Sequence, residues 1–202
     1  WLWARTVASP DPTCGGTHVP LVSSFWLSKK EGKQAWVEPV VDRARRSWRL
    51  EVRTGKPADE AKMDCGTRAG KAQDFICVLG GTPIRRDYVR DEGKQGRLGQ
   101  RMMAIVAASS SGRGRVYVQP GPDAERAARP VGFDSRLAES RSTFLSGSMP
   151  TRAMITGGVC SAYGLTTWGH LFTDRQLVAL TTFCDLASDL QDNVLRDATA
   201  RG

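Results

Sequence analysis

Residues 161–187, SAYGLTTWGHLFTDRQLVALTTFCDLA, carry the strongest local signal in the chain, which is the start of a long amphipathic helix. Gln176 follows Thr173 at the spacing of a capping box, in which each side chain bonds the backbone N–H of the other residue. Both orphan N–H groups at the helix start are then satisfied. The pattern predicts a helix over residues 173–196.

The apolar residues around this cap recur at helical spacing. Phe172 and Leu177 flank the cap as a hydrophobic staple. The main stripe is formed by Leu177, Leu180, Cys184 and Ala187, and it is widened by Phe183, Leu186, Leu190 and Val194. We interpret this element as a core-packing helix in which Cys184 acts as a small apolar residue.

Composition bounds the class of protein. The chain has 202 residues, of which 40% are hydrophobic and 25% charged, enough for one large or two small domains with a buried core. No apolar run approaches the roughly 20 residues that span a bilayer, and no signal peptide is present. The five cysteines form no CxxC pair, and an odd count without a secretory signal indicates a reducing compartment, so we expect a cytoplasmic protein. Because the chain begins at Trp1, we expect it to be a piece of a longer protein.

The net charge of +8 is concentrated in two clusters. Residues 29–56 contain nine Lys or Arg against four acids, and residues 85–115 contain eight against three. Patches of this kind attract polyanions, of which nucleic acid is the commonest for a protein without a membrane span. A solvated surface is the alternative for either cluster alone.

The pattern along the chain indicates short strand pairs with two main amphipathic helices, an α+β fold or an α/β insertion within something larger. Strands are predicted at 21–28, 34–42, 47–55, 75–79 and 112–120, and polar residues 55–73 predict a loop. Residues 1–120 form a β-rich region with one helix, residues 121–162 a loop or connector, and residues 163–202 the capped helix.

The first of the two helices is predicted after three evenly spaced glycines, Gly93, Gly96 and Gly99. Its apolar stripe is Leu98, Met102, Ile105 and Val106, and Lys94, Arg97 and Arg101 form a row of cations away from that stripe. The glycines favour either a contact with a DNA phosphate or a simple tight turn. The predicted DNA-binding residues are Arg85, Arg86, Arg90, Lys94, Arg97 and Arg101, with contacts mainly to phosphates.

Other chemistry receives little support from the sequence. The glycines lack the strand-GxGxxG-helix form of a dinucleotide site, and the two histidines accompany no GxSxG or HExxH pattern. His170 precedes the helix cap and is interpreted as a local hydrogen-bonding residue. Cys14, His18, Cys65 and Cys77 are metal-ligand types, but their spacing matches no standard zinc motif.

Four blocks of sequence, in a fixed order, carry a resemblance to a known family. They are WLWARTVASPDPTC (1–14), PLVSSFWLSKKEGKQAWVEPVVD (20–42), residues 74–107 with 112–125, and residues 163–187. Together they cover roughly two-thirds of the chain. The chain resembles the large bacterial adenine-specific DNA methylases described as containing a zinc ribbon, with an N-terminal domain of unknown function.

This resemblance implies that the chain is the central segment of a larger methyltransferase. The S-adenosylmethionine loop would lie upstream and the catalytic Asp-Pro-Pro-Tyr motif downstream, where it would hold a flipped adenine. Neither occurs here, since SPDPT at residues 9–13 is a different motif. We therefore expect no catalytic and no cofactor-binding residue in this chain, with S-adenosylmethionine bound outside it.

The resemblance also bears on zinc. Family members with a ribbon carry cysteine at the positions that match Ser9, Cys14, Cys77 and Gly80, and this chain keeps only Cys14 and Cys77 as candidate ligands. Two thiolates do not close a tetrahedral structural site. The chain thus resembles the ribbon-less branch, and we expect no structural zinc.

The sequence leads to three hypotheses. The first is a segment of an S-adenosylmethionine-dependent DNA adenine (N6) methyltransferase, in restriction-modification or phage defence, that supplies scaffold and DNA-backbone contacts. Its partners would be double-stranded DNA and the rest of the methyltransferase chain, with no membrane. The alternatives are a stand-alone, non-enzymatic nucleic-acid-binding module and a structural insertion that mediates assembly.

Overall fold

The first sheet is built around the strand that opens the chain. β1 (Leu2–Ala8) pairs with β2 (His18–Leu21) on one side and with β9 (Gly99–Ala108) on the other, and β10 (Arg115–Val118) extends the sheet beyond β9. All of these pairings are antiparallel. The turn between β1 and β2 contains a 3-10 helix at Pro12–Cys14, which brings Cys14 into the core.

The structure is a computed structural model and describes residues 1–70, 74–110, 114–150 and 157–201, with the backbone alone for 157–159 and 201. Arg113 of the second basic cluster therefore lies outside the described residues, as does part of the predicted connector.

The second sheet matches the sequence pattern at two of its three strands. The single strand predicted at 21–28 is wrong, because Leu21 ends β2 of the first sheet and only residues 26–28 belong to the second. β3 (Trp26–Ser28), β4 (Ala35–Asp42) and β5 (Ser47–Thr54) form an antiparallel meander. In β5, Trp48 and Leu50 are buried while the alternate positions face solvent, as the period of two predicts.

The third sheet is small and follows a short helix that the sequence pattern did not predict. α1 (Glu60–Cys65) lies within the predicted polar loop, and the Asp59 carboxylate caps it by accepting from the Lys62 backbone N–H at 2.9 Å. The sheet consists of three short antiparallel strands, β6 (Arg68–Ala69), β7 (Asp74–Ile76) and β8 (Pro83–Ile84). The loop prediction was wrong here because a single N-cap residue and Met63, which is buried, are enough to fix a short helix on a core.

The predicted helix after Gly99 is wrong, because this segment is strand β9. β9 is paired along both edges, with β1 and β10, and Met102, Met103 and Ala104 are buried in succession, so both faces of the strand are covered at these positions. An unbroken apolar run is the pattern of such a central strand, and the helical spacing of Leu98, Met102 and Val106 is coincidental. The helix in this region is α2 (Arg86–Lys94), which precedes the strand.

One hydrophobic core joins the three sheets and α2. Its most deeply buried side chains come from β1, β2, β4, β8 and α2, and include Val7, Val19, Val37, Ile84 and Val89. Phe25, 1% exposed, is among the largest fully buried side chains of this core. Burial of this apolar surface is the main term that stabilises the fold.

The region predicted as a connector contains short helices. They are α3 (Ala124–Ala127), α4 (Asp134–Glu139), a π-helical turn at Ser140–Phe144, and α5 (Gly157–Ala162), and a 3-10 turn at Trp168–Leu171 precedes the last helix. These elements are too short to give a lasting apolar period, which is why the pattern indicated a loop.

The capped helix is confirmed, and it is longer than predicted. α6 spans Asp174–Arg201, and its capping box forms: the Thr173 N–H donates to Gln176 Oε1 at 2.9 Å, and the Gln176 N–H donates to Thr173 Oγ1 at 3.4 Å. Leu177 is buried at 2% exposure, and Arg136 of α4 pairs with Asp185.

The core-packing interpretation of α6 is wrong beyond its first two turns. Every residue from 182 to 200 is exposed, including Phe183 at 71% and Leu190 at 63%. From residue 182 onward the apolar stripe therefore has no partner within the described part of the chain, although its period is that of a packed helix.

The fold is mixed α+β, with antiparallel pairing in all three sheets of the described residues. Parallel strands joined by crossover helices, as an α/β insertion would contain, are not found in those residues. In the same residues, no helix combines the length and apolar character needed to cross a membrane.

Candidate nucleic-acid interface

The predicted DNA-binding cations lie at the start of α2 and along it, on the segment that joins it to β9, and on β9 itself. α2 is held against β1 by Tyr88, whose hydroxyl donates to the Ala8 carbonyl at 3.0 Å, and by Val89 in the core. Burial raises the pKa of Tyr88. The helix is therefore a rigid platform, and side chains on its outer face have fixed origins.

Three of the six predicted cations project from this platform without an acidic partner. Arg85, Arg86 and Lys94 are exposed and form no ion pair with any described carboxylate. Unpaired surface cations are the kind that can neutralise phosphates, since no internal charge competes for them. Arg90 differs, because it pairs with Asp87 at 2.9 Å on the preceding turn of the helix.

Arg97 is committed to a structural ion pair. Its guanidinium donates to both carboxylate oxygens of Glu92, with Nε 2.9 Å from Oε2 and Nη2 2.5 Å from Oε1. The Glu92 side chain is only 10% exposed, whereas that of Arg97 is 50% exposed. The hydrogen bonds from Arg97 lower the pKa of Glu92, and the fork geometry keeps this carboxylate ionised.

The Arg101 guanidinium also contacts other side chains of the chain. It lies on β9 with its guanidinium 5.4 Å from the ring centroid of Trp48 and 3.5 Å from a carboxylate oxygen of Glu125. That same oxygen accepts the Met102 backbone N–H at 2.7 Å. The predicted row of cations on one helix face is wrong, because Arg97 lies in the irregular segment after α2 and Arg101 in a strand.

Close packing accounts for two of the three glycines. A Cβ on Gly93 would lie 1.8 Å from the Tyr163 carbonyl oxygen, and one on Gly99 would lie 2.6 Å from Thr6 Oγ1. Gly96 adopts φ +67° with open space around it, as a tight turn requires. Of the two interpretations of these glycines, the geometry favours a tight turn with close backbone contact.

Two pairs of residues that are distant from each other in sequence lie close together beside the β1–β2 turn. Ser9 Oγ lies 3.3 Å from Cys77 Sγ, Cys14 Sγ lies 4.0 Å from Cys77 Sγ, and a Cβ on Gly80 would lie 3.5 Å from Cys14 Sγ. Both thiols are buried. These are the four positions at which the resemblance implies ribbon ligands.

The residues present at this cluster do not fit a structural zinc ion. Two thiols remain, and the other two positions offer a serine hydroxyl and no side chain at all, which falls short of a tetrahedral N/S set. The neighbouring carboxylate of Asp11 is engaged with Thr13 and Thr82, whose hydrogen bonds lower its pKa. No group of three or more His, Cys, Asp or Glu residues suited to a metal is found in the described ranges.

The other metal-ligand types lie elsewhere. His18 Nδ1 is 3.1 Å from Thr6 Oγ1, and Cys65 is exposed at the end of α1. His170 has the local role expected for it, since its Nδ1 accepts the Thr166 N–H at 3.3 Å and its carbonyl accepts from Arg5 at 3.2 Å.

The first basic cluster is also partly neutralised. On the solvent face of β5, Arg49 and Arg53 both bond the Glu51 carboxylate, at 2.5 Å and 2.6 Å, and Arg53 reaches Glu38 on β4 at 3.2 Å. The alternation of the strand predicts which side chains face solvent, but not that they pair with each other.

No family model, no curated protein and no solved structure gives a significant match.

Proposed function

We propose that this chain is the central segment of an S-adenosylmethionine-dependent DNA adenine (N6) methyltransferase, in which it supplies scaffold and contacts to the DNA backbone. The observation that carries the proposal is the convergence of Ser9, Cys14, Cys77 and Gly80. The resemblance pairs these four positions as ligands of one ribbon, although the sequence separates them into two distant pairs. We expect the four positions to lie close together in a zinc ribbon that keeps its fold but has lost two of its metal ligands.

In this proposal the chemistry belongs to residues outside the chain. S-adenosylmethionine supplies the methyl group when bound to the complete enzyme, and this segment offers no residue that we assign to holding it. The segment's own contribution is a rigid, positively charged surface. Arg85, which precedes α2, and Arg86 and Lys94 on the helix are its first candidates for phosphate contacts, because none of these side chains forms an ion pair with a described carboxylate.

Contacts of this type position a duplex without reading its sequence. The test is equilibrium binding of the 202-residue chain to two duplexes of unrelated sequence, with the variant Arg85→Gln/Arg86→Gln/Lys94→Gln compared with the native chain. We expect the same loss of affinity on both duplexes. Each lost phosphate contact reduces the slope of log K against log salt by about 0.9.

A matched control removes the same charge elsewhere. Lys29, Arg45 and Arg126 are exposed, and each already pairs with an exposed carboxylate, that of Asp64, Asp42 or Asp123. The variant Lys29→Gln/Arg45→Gln/Arg126→Gln should bind nearly as well as the native chain. Loss confined to one duplex would mean base readout, and absence of duplex binding by the native chain would remove the proposed DNA contact.

The assembly insertion remains the second candidate, because one observation favours it. The apolar stripe of α6 from Phe183 to Val194 is exposed, and a patch of this kind is typical of an interaction surface. Sedimentation of the chain distinguishes the two, since an assembly element would self-associate or require a protein partner, whereas a DNA-contacting segment stays monomeric without DNA.

A further inference from the structure

Three exposed cations line one groove where two hairpins meet. Lys33 lies in the turn between β3 and β4, Lys56 follows β5, and Arg115 begins β10. They surround a cavity of about 580 Å³. The other described lining residues are glycine, small polar or apolar residues and Tyr117, and none of the described lining residues is Asp or Glu.

The groove is held in shape by bonds between the two hairpins. The Tyr117 hydroxyl donates to the Leu27 carbonyl at 2.8 Å. The Gln119 side chain is bonded to β5 twice, accepting the Val52 N–H at 2.6 Å and donating to the Leu50 carbonyl at 2.7 Å. Lys33 Nζ is 3.2 Å from the position that a Cβ on Gly114 would occupy. The three cations are thus brought together by tertiary structure from the two separate basic clusters of the sequence.

These cations differ from most of the basic residues around them. Lys29 pairs with Asp64, Arg49 and Arg53 pair with Glu51, and Arg101 pairs with Glu125. Among the described residues, by contrast, no carboxylate pairs with any of the three groove cations, and the nearby Glu31 does not line the cavity. A concave site with one sign of charge concentrates the opposite charge. The ligand class is therefore anionic.

The backbone at the groove favours a polyanion over a mononucleotide. A phosphate cradle of the nucleotide-binding type needs free backbone N–H groups. Here the N–H groups of Lys33, Gly55 and Ser109 donate to the carbonyls of Lys30, Gln34 and Gly114 at 2.9, 3.0 and 3.1 Å. The positive charge of the groove comes from side chains, and the Lys33 and Lys56 ammonium groups are point charges on flexible stems, which are suited to successive phosphates of a duplex backbone.

We infer that the groove lined by Lys33, Lys56 and Arg115 binds consecutive phosphodiesters of double-stranded DNA. The inference rests on the proposed DNA-contacting function and adds a second site to it, separate in sequence from the cations of α2. It assigns the groove a positioning role that is independent of base sequence.

The experiment is a salt titration of duplex binding by the 202-residue chain. In the variant Lys33→Gln/Lys56→Gln/Arg115→Gln, the slope of log K against log salt should fall by about 2.7, that is, by about 0.9 for each of three contacts. The charge-matched control Lys29→Gln/Arg45→Gln/Arg126→Gln should lose less than about 1. The single variants Lys33→Gln and Lys56→Gln, both at exposed turn positions, should each lose about 0.9 and guard against misfolding of the triple variant.

Each outcome decides the inference. Equal slopes for the groove variant and the control overturn it, because net charge alone would then explain binding. If the native chain binds duplex and the α2 variant weakens binding while the groove variants do not, the inference fails and the proposed function stands. If the native chain binds phosphatidylserine vesicles through the groove cations and does not bind duplex, both fail.

Discussion

At the scale of single residues, the main finding is how much of the basic charge is already paired. Arg97 was predicted to contact phosphates, yet it closes a bidentate pair on Glu92, which is almost fully buried. A sequence shows the number of cations but not their partners, because pairing depends on tertiary distances. The cations that remain available come from turns and helix ends, such as Lys33 and Arg86.

The Arg97–Glu92 pair predicts a pH-dependent contribution to stability. Because the pKa of Glu92 is lowered in the folded state, its contribution is present above the unfolded value of about 4.3 and is lost as pH falls through the folded pKa. Arg97→Ala should therefore lower the free energy of unfolding at pH 7, and the deficit should shrink progressively below about pH 4.

Urea denaturation of the native chain and the variant at a series of pH values measures this difference. Arg86→Ala, which removes an unpaired exposed cation, serves as the control and should leave stability unchanged at every pH. A deficit for Arg97→Ala that stays constant from pH 7 to pH 3 would show that the Glu92 pair is not its cause.

The cluster of Ser9, Cys14, Cys77 and Gly80 predicts that zinc binding can be restored. The native chain should contain no stoichiometric zinc, since two thiolates do not complete the site. Ser9→Cys with Gly80→Cys should bind about one zinc per chain with tetrahedral thiolate ligands. A Cβ on Gly80 lies 2.6 Å from Asp11 Oδ2, so the Asp11 side chain must turn aside.

Elemental analysis and cobalt substitution spectra of both proteins, purified without chelator, provide the measurement. The single variants Ser9→Cys and Gly80→Cys each offer three thiolates, and each should bind zinc more weakly than the double variant. One equivalent of zinc in the native chain, lost together with the fold on chelation, would contradict the interpretation of these four positions.

At the scale of elements, the capped helix and the central strand show where sequence patterns succeed and fail. The capping box of α6 was predicted correctly because its partners are three residues apart and no tertiary contact is needed. β9 was predicted as a helix because an unbroken apolar run fits the helical period as well as the strand period. Such a run occurs where both faces of a strand are buried. The β-branched Ile105 and Val106 were the signals that favoured a strand.

The two halves of α6 should respond differently to truncation of apolar side chains. Leu177 is buried, so Leu177→Ala should destabilise the chain by about 2–5 kcal/mol. Phe183 lies on the same predicted stripe but is exposed, so Phe183→Ala should stay within about 0.5 kcal/mol of the native value. Denaturation midpoints of the two variants give the comparison, and a large loss for Phe183→Ala would mean that the stripe is covered in solution.

At the scale of the whole molecule, local patterns predicted more of the fold than of the candidate interface. The β4–β5 hairpin, the strand β10, the α6 cap and the mixed α+β class follow from patterning. The three-sheet arrangement, the helices between 124 and 162 and the groove do not, since each depends on contacts between residues far apart in the chain. The convergence of Ser9 and Cys14 with Cys77 and Gly80 was accessible only through the resemblance.

The central claim is that the complete enzyme methylates adenine while this segment only positions DNA. The most direct test expresses the complete reading frame that encodes this chain in a host without adenine methyltransferases, and maps N6-methyladenine across the genome by single-molecule sequencing. We predict methylation of one defined sequence, abolished when the Asp of a downstream Asp-Pro-Pro-Tyr motif is changed to Ala. A reading frame without that motif, or a genome that stays unmethylated although the folded protein accumulates, would contradict the claim.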